Sequence, residues 1–341
     1  MKYSDKGALH YSHFRYIFTP MTDLKCKICG NAENNRTYTA REMMFGLKDE
    51  FEYLECSKCK CLQIKEIPKD LAKYYPEDYY SYFSKGEDHH IQHSFSKTLK
   101  RSLKKGLLNH YLKGKSPIGK MLAPKLDSYY PWIKTGMLTS SSNILDVGCG
   151  SGELLLKMYN DGFRRLTGLD PFIKEDIHYN CGITIHKKTL DQLTEKYDLI
   201  MMHHAFEHMD EPLKIIKNIQ KLLNPHGVAL IRIPVADSYA WHKYGVDWVQ
   251  LDAPRHIFLH TEKSMQILAE QAGLKFSGVT YDSWNLQFYG SELYKKGIPL
   301  RANKENEVFS GQQMEVFTTE SHKLNEKKQG DQACFYLTKE S

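Results

Sequence analysis

Three glycines and one aspartate have the spacing that nucleoside-binding sites require. Gly148, Gly150 and Gly152 alternate along "LDVGCGSGE", directly after an apolar run and before a helical pattern. Glycine is needed where a turn demands a positive φ or where the backbone touches a ligand closely. Asp170 follows 22 residues after Gly148, where a carboxylate can accept hydrogen bonds from the two hydroxyls of a ribose. The spacing therefore predicts a nucleoside site.

The acids around the glycines indicate the charge of the ligand. A dinucleotide site has the pattern G-x-G-x-x-G, which leaves a helix N-terminus open to a pyrophosphate. Here the pattern is G-x-G-x-G, Asp146 precedes it, and Glu153 stands where phosphate charges would come. Because an acid repels an anion, these residues favour a cationic ligand, such as the sulfonium and ammonium groups of S-adenosylmethionine.

Two cysteine pairs have the spacing of a metal site. Cys26 and Cys29 are separated by two residues, as are Cys56 and Cys59, and 26 residues lie between the pairs. Thiolates at this spacing on a tight turn converge on one ion, and two such turns complete a tetrahedral zinc shell. A full sulfur shell leaves no open position, so these four residues predict a structural zinc. Cys61 adds a fifth nearby thiol, as a spare or as a competing ligand.

Alternating apolar runs and helical patterns would position the glycines and acids. Five runs have the pattern of strands buried on both faces, namely Asn143–Val147, Arg165–Leu169, Gly182–His186, Tyr197–Met202 and Val228–Ile233. Helical patterns, such as Glu153–Asn160 and Pro212–Leu223, lie between them. This alternation predicts an α/β fold with a doubly wound, mostly parallel sheet. Asp331–Lys339 is expected to add a last strand at the edge.

Length and composition exclude several classes of protein. With 341 residues, of which 41% are hydrophobic and 12% aromatic, the chain has enough apolar side chains for a sizeable core and is not a disordered protein. No window approaches the roughly 18 apolar residues of a membrane-spanning helix, and the start lacks the features of a signal peptide. We therefore expect a cytoplasmic protein with reduced cysteines and without a transmembrane segment.

One basic segment accounts for the positive charge. The formal net charge is +6, but Lys97–Lys125 contains nine basic residues and no acid, which leaves −3 for the rest. A chain-wide surface for nucleic acid is therefore disfavoured. Over residues 95–125, apolar side chains recur every fourth position, at Phe95, Leu99, Leu103, Leu107 and Tyr111. Such an amphipathic helix would join two modules, bind RNA or the phosphates of a sugar nucleotide, or lie on an anionic membrane.

Five motifs, taken in order, resemble those of class I S-adenosylmethionine-dependent methyltransferases. They are "ILDVGCGSGE", "GLDP", "YDLIMMHHAFEHM", "LLNPHGVALIRIP" and "QAGLKFSGV". The resemblance implies a seven-stranded, Rossmann-like sheet and S-adenosylmethionine as cofactor. The residues that it assigns to the cofactor are Asp146, Gly148, Gly150 and Gly152 at the methionine, Asp170 at the ribose, and His203 and His204 beside it. An acid that faces the adenine often follows the third strand in this family, and here Asp191 comes a little late.

A zinc ribbon followed by a tyrosine-rich segment and this core resembles bacterial sugar methyltransferases, including the deoxysugar C-methyltransferases. The tyrosines, which would form a lid or pack between modules, are Tyr74, Tyr75, Tyr79, Tyr80 and Tyr82. On this resemblance we expect no counterpart of the additional C-terminal domain of the C-methyltransferases. The resemblance therefore favours O- or N-methylation of a carbohydrate or nucleotide-sugar, in the biosynthesis of a surface polysaccharide or a metabolite.

Two histidines and a glutamate are the candidate catalytic groups. Methyl transfer to a hydroxyl requires alignment and a proton acceptor, and histidine has a suitable pKa. Glu207 and His208 follow the fourth predicted strand, at the carboxyl edge where such folds bind ligands, and they resemble the "EH" of many family members. Asp252, Arg255 and His256 follow the fifth strand. We expect His208 first and His256 second to act as the base, or else Glu207 and His208 to tie a helix to a loop.

The sequence as a whole predicts three parts. They are a zinc-ribbon module with the tyrosine-rich segment (1–84), a basic helical connector (85–142) and an S-adenosylmethionine-binding methyltransferase domain (143–341). Trp241, Trp248 and Trp284 would stack on a sugar or pack in the core. Two further functions stay open at this point: an RNA methyltransferase, and a non-catalytic binding module with the same fold.

Overall fold

Two β-sheets organise residues 25–76, 106, 108, 111–112, 130–133 and 137–340, which are the residues that the computed structural model describes. The smaller sheet consists, in order, of β1 (Arg36–Arg41), β2 (Glu50–Glu55), β3 (Leu62–Ile64) and β10 (Phe258–Leu259). The strands of the larger sheet are β4 (Asn143–Val147), β5 (Arg165–Leu169), β6 (Ile177–His178), β7 (Thr184–His186), β8 (Tyr197–His203), β9 (Leu223–Pro234), β11 (Lys275–Tyr281) and β12 (Gln332–Thr338).

The larger sheet has a parallel centre and antiparallel ends. Its strand order is β11-β12-β9-β8-β4-β5-β7-β6, and the strands from β9 to β7 run parallel. The mostly parallel α/β sheet is therefore confirmed. The predicted number of seven strands is wrong, because β6 pairs antiparallel with β7 and makes an eighth. With only two residues, β6 is too short to produce a recognisable hydrophobic pattern.

Strand β12 lies inside the larger sheet. The prediction that Asp331–Lys339 forms an edge strand is wrong, because β12 pairs with β9 on one side and with β11 on the other. All residues from Gln332 to Leu337 are buried, whereas β11 has no buried residue. A strand with apolar side chains on both faces buries more surface inside a sheet, and the more polar β11 takes the exposed edge.

Helices connect the strands, and the side chains of the central strands divide between two cores. The helices of the described ranges are α1 (Glu153–Asp161), α2 (Pro212–Leu222), α3 (Tyr239–Tyr244), α4 (Glu262–Gln271), α5 (Leu286–Lys295), α6 (Glu305–Val308) and α7 (Gly311–Glu326). Leu145 and Val147 of β4 pack into one core, whereas Ile144 packs into the other. This alternation follows from the two-residue period of a strand. Pro212 begins α2 as predicted, and Thr261 caps α4.

The smaller sheet joins the N-terminal part of the chain to the methyltransferase-like part. Its last strand, β10, is contributed by the chain about 195 residues after β3, and Leu259 pairs with Leu62. The hydroxyl of Thr261 donates a hydrogen bond to the carbonyl oxygen of Cys59 at 2.6 Å. Side chains from both parts, including Leu54 and Phe258, share one core. The two parts therefore have a continuous interior.

A buried guanidinium lies at the centre of this junction. Arg255 is fully buried, and its NH2 donates to Glu42 at 2.9 Å and to Asp252 at 2.5 Å. Its Nε also donates to Asp252, and its NH1 donates to the carbonyl oxygen of Tyr74 at 3.1 Å. The hydroxyl of Tyr53 donates to the carbonyl oxygen of the neighbouring residue, His256, at 2.8 Å. These contacts attach the loop before β10 to the N-terminal sheet.

The described ranges contain no helix with the length and apolar character needed to cross a membrane.

We expect Arg255→Met to lower the free energy of unfolding by about 3 kcal/mol or more, because it leaves two buried carboxylates without a counter-charge. Arg164→Met is the matched control, because Arg164 is exposed and donates only to carbonyl oxygens. The free energy of unfolding of Arg164→Met is expected to fall by less than about 1 kcal/mol. Urea unfolding of the full chain measures both values. Equal, small losses in the two variants would contradict a central role for the guanidinium.

Candidate active site

The glycine loop connects β4 to α1 at the carboxyl edge of the larger sheet. Gly148, Gly150 and Gly152 have φ angles of +74°, +56° and +83°, a region that residues with a side chain rarely adopt. A Cβ on Gly148 would lie 2.6 Å from the Cβ of Ala205. The loop therefore lies directly against the turn that follows β8, and a side chain at Gly148 has no room.

Asp170 lies at the end of β5 and contacts the glycine loop. One carboxylate oxygen accepts a hydrogen bond from the N–H of Gly150 at 2.9 Å, and the other accepts from the N–H of Phe172 at 2.9 Å. Each carboxylate oxygen can accept a second hydrogen bond, so the group retains acceptor capacity for hydroxyls. Phe172 itself is 72% exposed beside it. Asp170 thus has the position that a ribose-binding acid needs.

Asp146 is the last acid before the loop and is nearly inaccessible to solvent, with 3% of its surface exposed. Burial, and then the negative charge of Asp170, raise the pKa of its carboxyl group to about 8. A nearby cation would reverse this effect, because it favours the charged carboxylate. Asp146 would therefore favour a positively charged ligand at the loop.

A cluster that the sequence analysis missed surrounds His203. The ring of Trp132 packs against the imidazole of His203, with centroids 4.6 Å apart, and also against the guanidinium of Arg232. Asp282 accepts from Arg232 at 2.6 Å and from the indole of Trp132 at 2.8 Å. Burial, followed by the charge of Arg232, lowers the pKa of His203 to about 3. These residues are up to 150 positions apart, so no local motif could have joined them.

His204 connects this cluster to Glu207. The NH1 of Arg232 lies 2.8 Å from Nε2 of His204, and Nδ1 of His204 lies 3.4 Å from Oε1 of Glu207. A guanidinium only donates hydrogen bonds, so Nε2 must accept and Nδ1 carries the proton. The imidazole therefore directs an N–H towards the carboxylate of Glu207.

Glu207, His208 and His256 come together next to this turn. One ligand atom from each residue lies within 4.8 Å of the others, and the two imidazole centroids are 4.8 Å apart. Burial acts to raise the pKa of Glu207, but His204, His208 and His256 outweigh it and lower the pKa to about 2. Burial lowers the pKa of His256 to about 4. Two of the three predicted catalytic residues are thus neighbours in sequence, and the third arrives from the loop attached to the N-terminal sheet.

The other aromatic and acidic candidates lie in different environments. Trp248 is fully buried and donates to Asp331, and Trp241 packs edge-on against Tyr38. Trp284 is 51% exposed. Asp191 is exposed in a short 3-10 helix after β7, so its predicted contact with adenine stays a prediction.

The four predicted metal ligands form one compact group. The sulfurs of Cys26 and Cys59 are 3.6 Å apart, those of Cys29 and Cys56 are 3.4 Å apart, and all four lie within 4.8 Å of one another. A tetrahedral zinc ion with Zn–S bonds of about 2.3 Å places its sulfurs about 3.8 Å apart. Cys61 does not belong to this group, and its thiol faces the carbonyl oxygen of Leu62. The donor set and its spacing suit a zinc ion.

Several sequence predictions lie wholly or partly outside the described residues. These are the tyrosines Tyr79, Tyr80 and Tyr82 and most of the basic segment, including Phe95, Leu99, Leu103 and Leu107. Of the residues in that segment that the structure describes, Leu108 and Leu112 are buried in the second core, and the hydroxyl of Tyr111 donates to the carbonyl oxygen of Ile133. The hydroxyl of Tyr75 lies 3.2 Å from Nδ1 of His208.

Comparison with known proteins assigns the chain to a family. A family model described as a methyltransferase domain matches residues 90–277, which is more than half of the chain. The chain belongs to this family. It contains a class I S-adenosylmethionine-dependent methyltransferase domain.

Curated relatives match only part of the chain. A tRNA U34 carboxymethyltransferase from Nautilia profundicola is 28% identical over 119 residues, which cover 30% of this chain and 39% of that protein. A ubiquinone biosynthesis O-methyltransferase from Sodalis glossinidius is 29% identical over 126 residues, covering 33% and 50%. The chain thus spans half or less of the length of these relatives. A methyltransferase structure from Mesorhizobium loti is similar with a TM-score of 0.41 and 16% identity, covering 62% of this chain and 98% of that one.

The residues of the glycine loop fit this methyl donor. S-adenosylmethionine is a cation without phosphate groups, and the acids at the loop, Asp146 and Asp170, are both at least nine-tenths buried. Glu153 at the start of α1 is exposed and pairs with Lys157. The sequence analysis could select these residues because they lie in or directly after the neighbouring parallel strands β4 and β5.

We expect Gly148→Ala to weaken the binding of S-adenosylmethionine at least about tenfold, because the added Cβ meets Ala205 and displaces the loop. Gly182→Ala is the matched control: Gly182 also has a positive φ, of +91°, but its added Cβ would meet no atom within 4 Å. Both variants are expected to lose about 1 kcal/mol from backbone strain. Calorimetric titration and thermal unfolding separate the two effects. Similar affinities in the two variants would contradict the assignment of the loop.

Proposed function

We propose that the protein transfers the methyl group of S-adenosylmethionine to an oxygen or nitrogen of a carbohydrate or nucleotide-sugar. The observation that carries the proposal is the contact between the two halves of the site. The glycine loop after β4 lies against Ala205, and Glu207 and His208 follow Ala205 within three residues. We therefore infer that a methyl group held at the loop would lie towards the side where Glu207, His208 and His256 converge.

The chemistry of the proposed reaction divides between these two sides. S-adenosylmethionine supplies an electrophilic methyl group on a sulfonium. Asp170 would hold the ribose hydroxyls, and Asp146 would stabilise positive charge in the methionine pocket, with His203 and His204 beside them. On the acceptor side, His208, then His256, with Glu207, are the groups that we propose act on the proton of the acceptor.

The proposal for the acceptor rests on the resemblance to sugar methyltransferases and on one surface feature. Trp284 is half exposed, and an exposed indole can stack on a sugar ring. A second candidate, methylation of RNA, is favoured by the name of one relative, a tRNA U34 carboxymethyltransferase. The basic segment Lys97–Lys125 is compatible with both acceptors, because both can carry phosphates.

We further propose that zinc is bound by Cys26, Cys29, Cys56 and Cys59 and has a structural role. We also propose that the chain divides into residues 1–84, 85–142 and 143–341, as the sequence motifs predict. A cytoplasmic location, a role in polysaccharide biosynthesis and peripheral contact of residues 95–125 with an anionic membrane belong to this proposal as well.

Titration of the zinc-loaded full chain with S-adenosylmethionine tests the cofactor part of the proposal. We expect binding of S-adenosylmethionine, no binding of NAD, and at least a tenfold loss of affinity in Asp170→Ala, because ribose hydroxyls lose their acceptor. Transfer of a labelled methyl group to nucleotide-sugars would then support the proposed acceptor. Transfer to tRNA, with binding that weakens steeply as salt increases, would support the second candidate instead.

The raised pKa of Asp146 predicts a pH dependence of cofactor binding. The free carboxyl group is protonated below a pH of about 8, and a cationic ligand prefers the charged form. Affinity for S-adenosylmethionine is therefore expected to fall about tenfold per pH unit from pH 7.5 to 6, with release of a proton on binding. Calorimetry in buffers with different ionisation enthalpies measures this release. Asp146→Asn is expected to remove the pH dependence of binding. A binding enthalpy of the wild type that does not vary with the buffer would contradict the predicted release of a proton.

A further inference from the structure

Glu207 is a buried carboxylate whose charge has no direct hydrogen-bonded partner. Its side chain is fully buried, and neither of its oxygens has a hydrogen-bond partner among the described residues. Nδ1 of His204 lies 3.4 Å from Oε1 of Glu207, but this contact is outside hydrogen-bond geometry. The imidazoles of His204, His208 and His256 favour the charged form of this carboxylate, but none of them forms a hydrogen bond with it, so a bound cation would supply the missing direct partner.

The guanidinium next to this site does not compensate Glu207. Arg255 forms its ion pairs with Glu42 and Asp252, and each of these acids is also buried. The single positive charge of Arg255 is thus shared by the carboxylates of Glu42 and Asp252. Arg255 therefore forms no hydrogen bond with the carboxylate of Glu207.

The two histidines beside Glu207 are oriented as metal ligands are. Nδ1 of His208 lies 2.9 Å from the carbonyl oxygen of Arg255, and Nδ1 of His256 lies 2.8 Å from the carbonyl oxygen of Gln250. A carbonyl oxygen only accepts, so Nδ1 carries the proton and Nε2 keeps its lone pair in the neutral ring. A backbone carbonyl that fixes the ring in this way is the usual outer contact of a metal-bound histidine.

We propose that Glu207, His208 and His256 bind a divalent transition-metal ion, distinct from the ion held by the four cysteines. One ligand atom from each of the three residues lies within 4.8 Å of the others. Two imidazoles and one carboxylate suit ions such as Mn²⁺, Fe²⁺ and Zn²⁺, and three protein ligands leave coordination positions open.

The role of this ion rests on the proposed function. A hydroxyl of the acceptor that occupies an open position has a lowered pKa, and it releases its proton to water. The oxygen then forms a bond to the methyl carbon while the carbon–sulfur bond of the donor breaks, which leaves a neutral thioether. In this arrangement His208 and His256 act on the acceptor's proton through the ion.

Mn²⁺ is the probe that tests the site, because it prefers oxygen and nitrogen ligands and competes poorly with zinc for four thiolates. Zinc-loaded full-length protein is titrated with Mn²⁺, and the electron paramagnetic resonance signal of free Mn²⁺ is followed. We expect one bound Mn²⁺ per chain. Glu207→Gln and His256→Gln are each expected to weaken its binding at least about tenfold.

Glu211→Gln is the matched control. Glu211 is an exposed carboxylate four residues after Glu207 that pairs with Lys214, and its substitution should leave Mn²⁺ binding unchanged. Zinc content and S-adenosylmethionine binding of each variant show whether it has folded. Absence of Mn²⁺ binding in the wild type, or equal Mn²⁺ binding in Glu207→Gln and Glu211→Gln, would overturn the metal site. Intact S-adenosylmethionine binding in the same samples would leave the proposed function in place, whereas its loss in the wild type would contradict that function alone.

Discussion

The compensation of one buried guanidinium is the constraint that fixes the loop before β10, and with it the position of His256. Burying a charge costs more free energy than a protein of ordinary stability can lose, unless acids and carbonyl oxygens surround it. Arg255 receives these partners from Glu42 in the N-terminal part, from Asp252 in its own loop and from the carbonyl of Tyr74. Because all of them must be present together, the loop before β10 has one position relative to the N-terminal sheet.

This constraint makes the N-terminal module a structural support of the loop that carries His256. His256 follows Arg255 directly, and its carbonyl oxygen accepts the hydroxyl hydrogen bond of Tyr53. The pairing of β3 with β10 and the hydrogen bond from Thr261 to Cys59 continue the attachment up to the cysteine group. The glycine loop and Asp170 are positioned differently, by the neighbouring strands β4 and β5 and by the turn after β8 that contains Ala205. The glycine loop and the loop that carries His256 are therefore supported by different parts of the fold.

The sequence predictions are accurate for the central parallel strands and less accurate for the strands at the ends of the larger sheet. Strands β4 and β5 have the predicted bounds, since buried parallel strands are continuous apolar runs bounded by glycine and aspartate. The position of β12 was wrong, because pairing partners of antiparallel strands are chosen by burial on both faces and not by chain order. The eighth strand, β6, was missed because two residues carry no periodic signal.

The sequence by itself determined the parallel sheet, the glycine loop with Asp170 and the grouping of four cysteines, because each leaves a recognisable local motif, such as an apolar run, alternating glycines or a pair of cysteines two residues apart. Tertiary structure alone decided that Trp132, Arg232 and Asp282 surround His203, and that β10 completes the N-terminal sheet. It also decided that Glu207 is buried beside His256, 49 residues further along the chain. The physical reason is that burial and charge compensation act through space, and their partners leave no pattern along the chain.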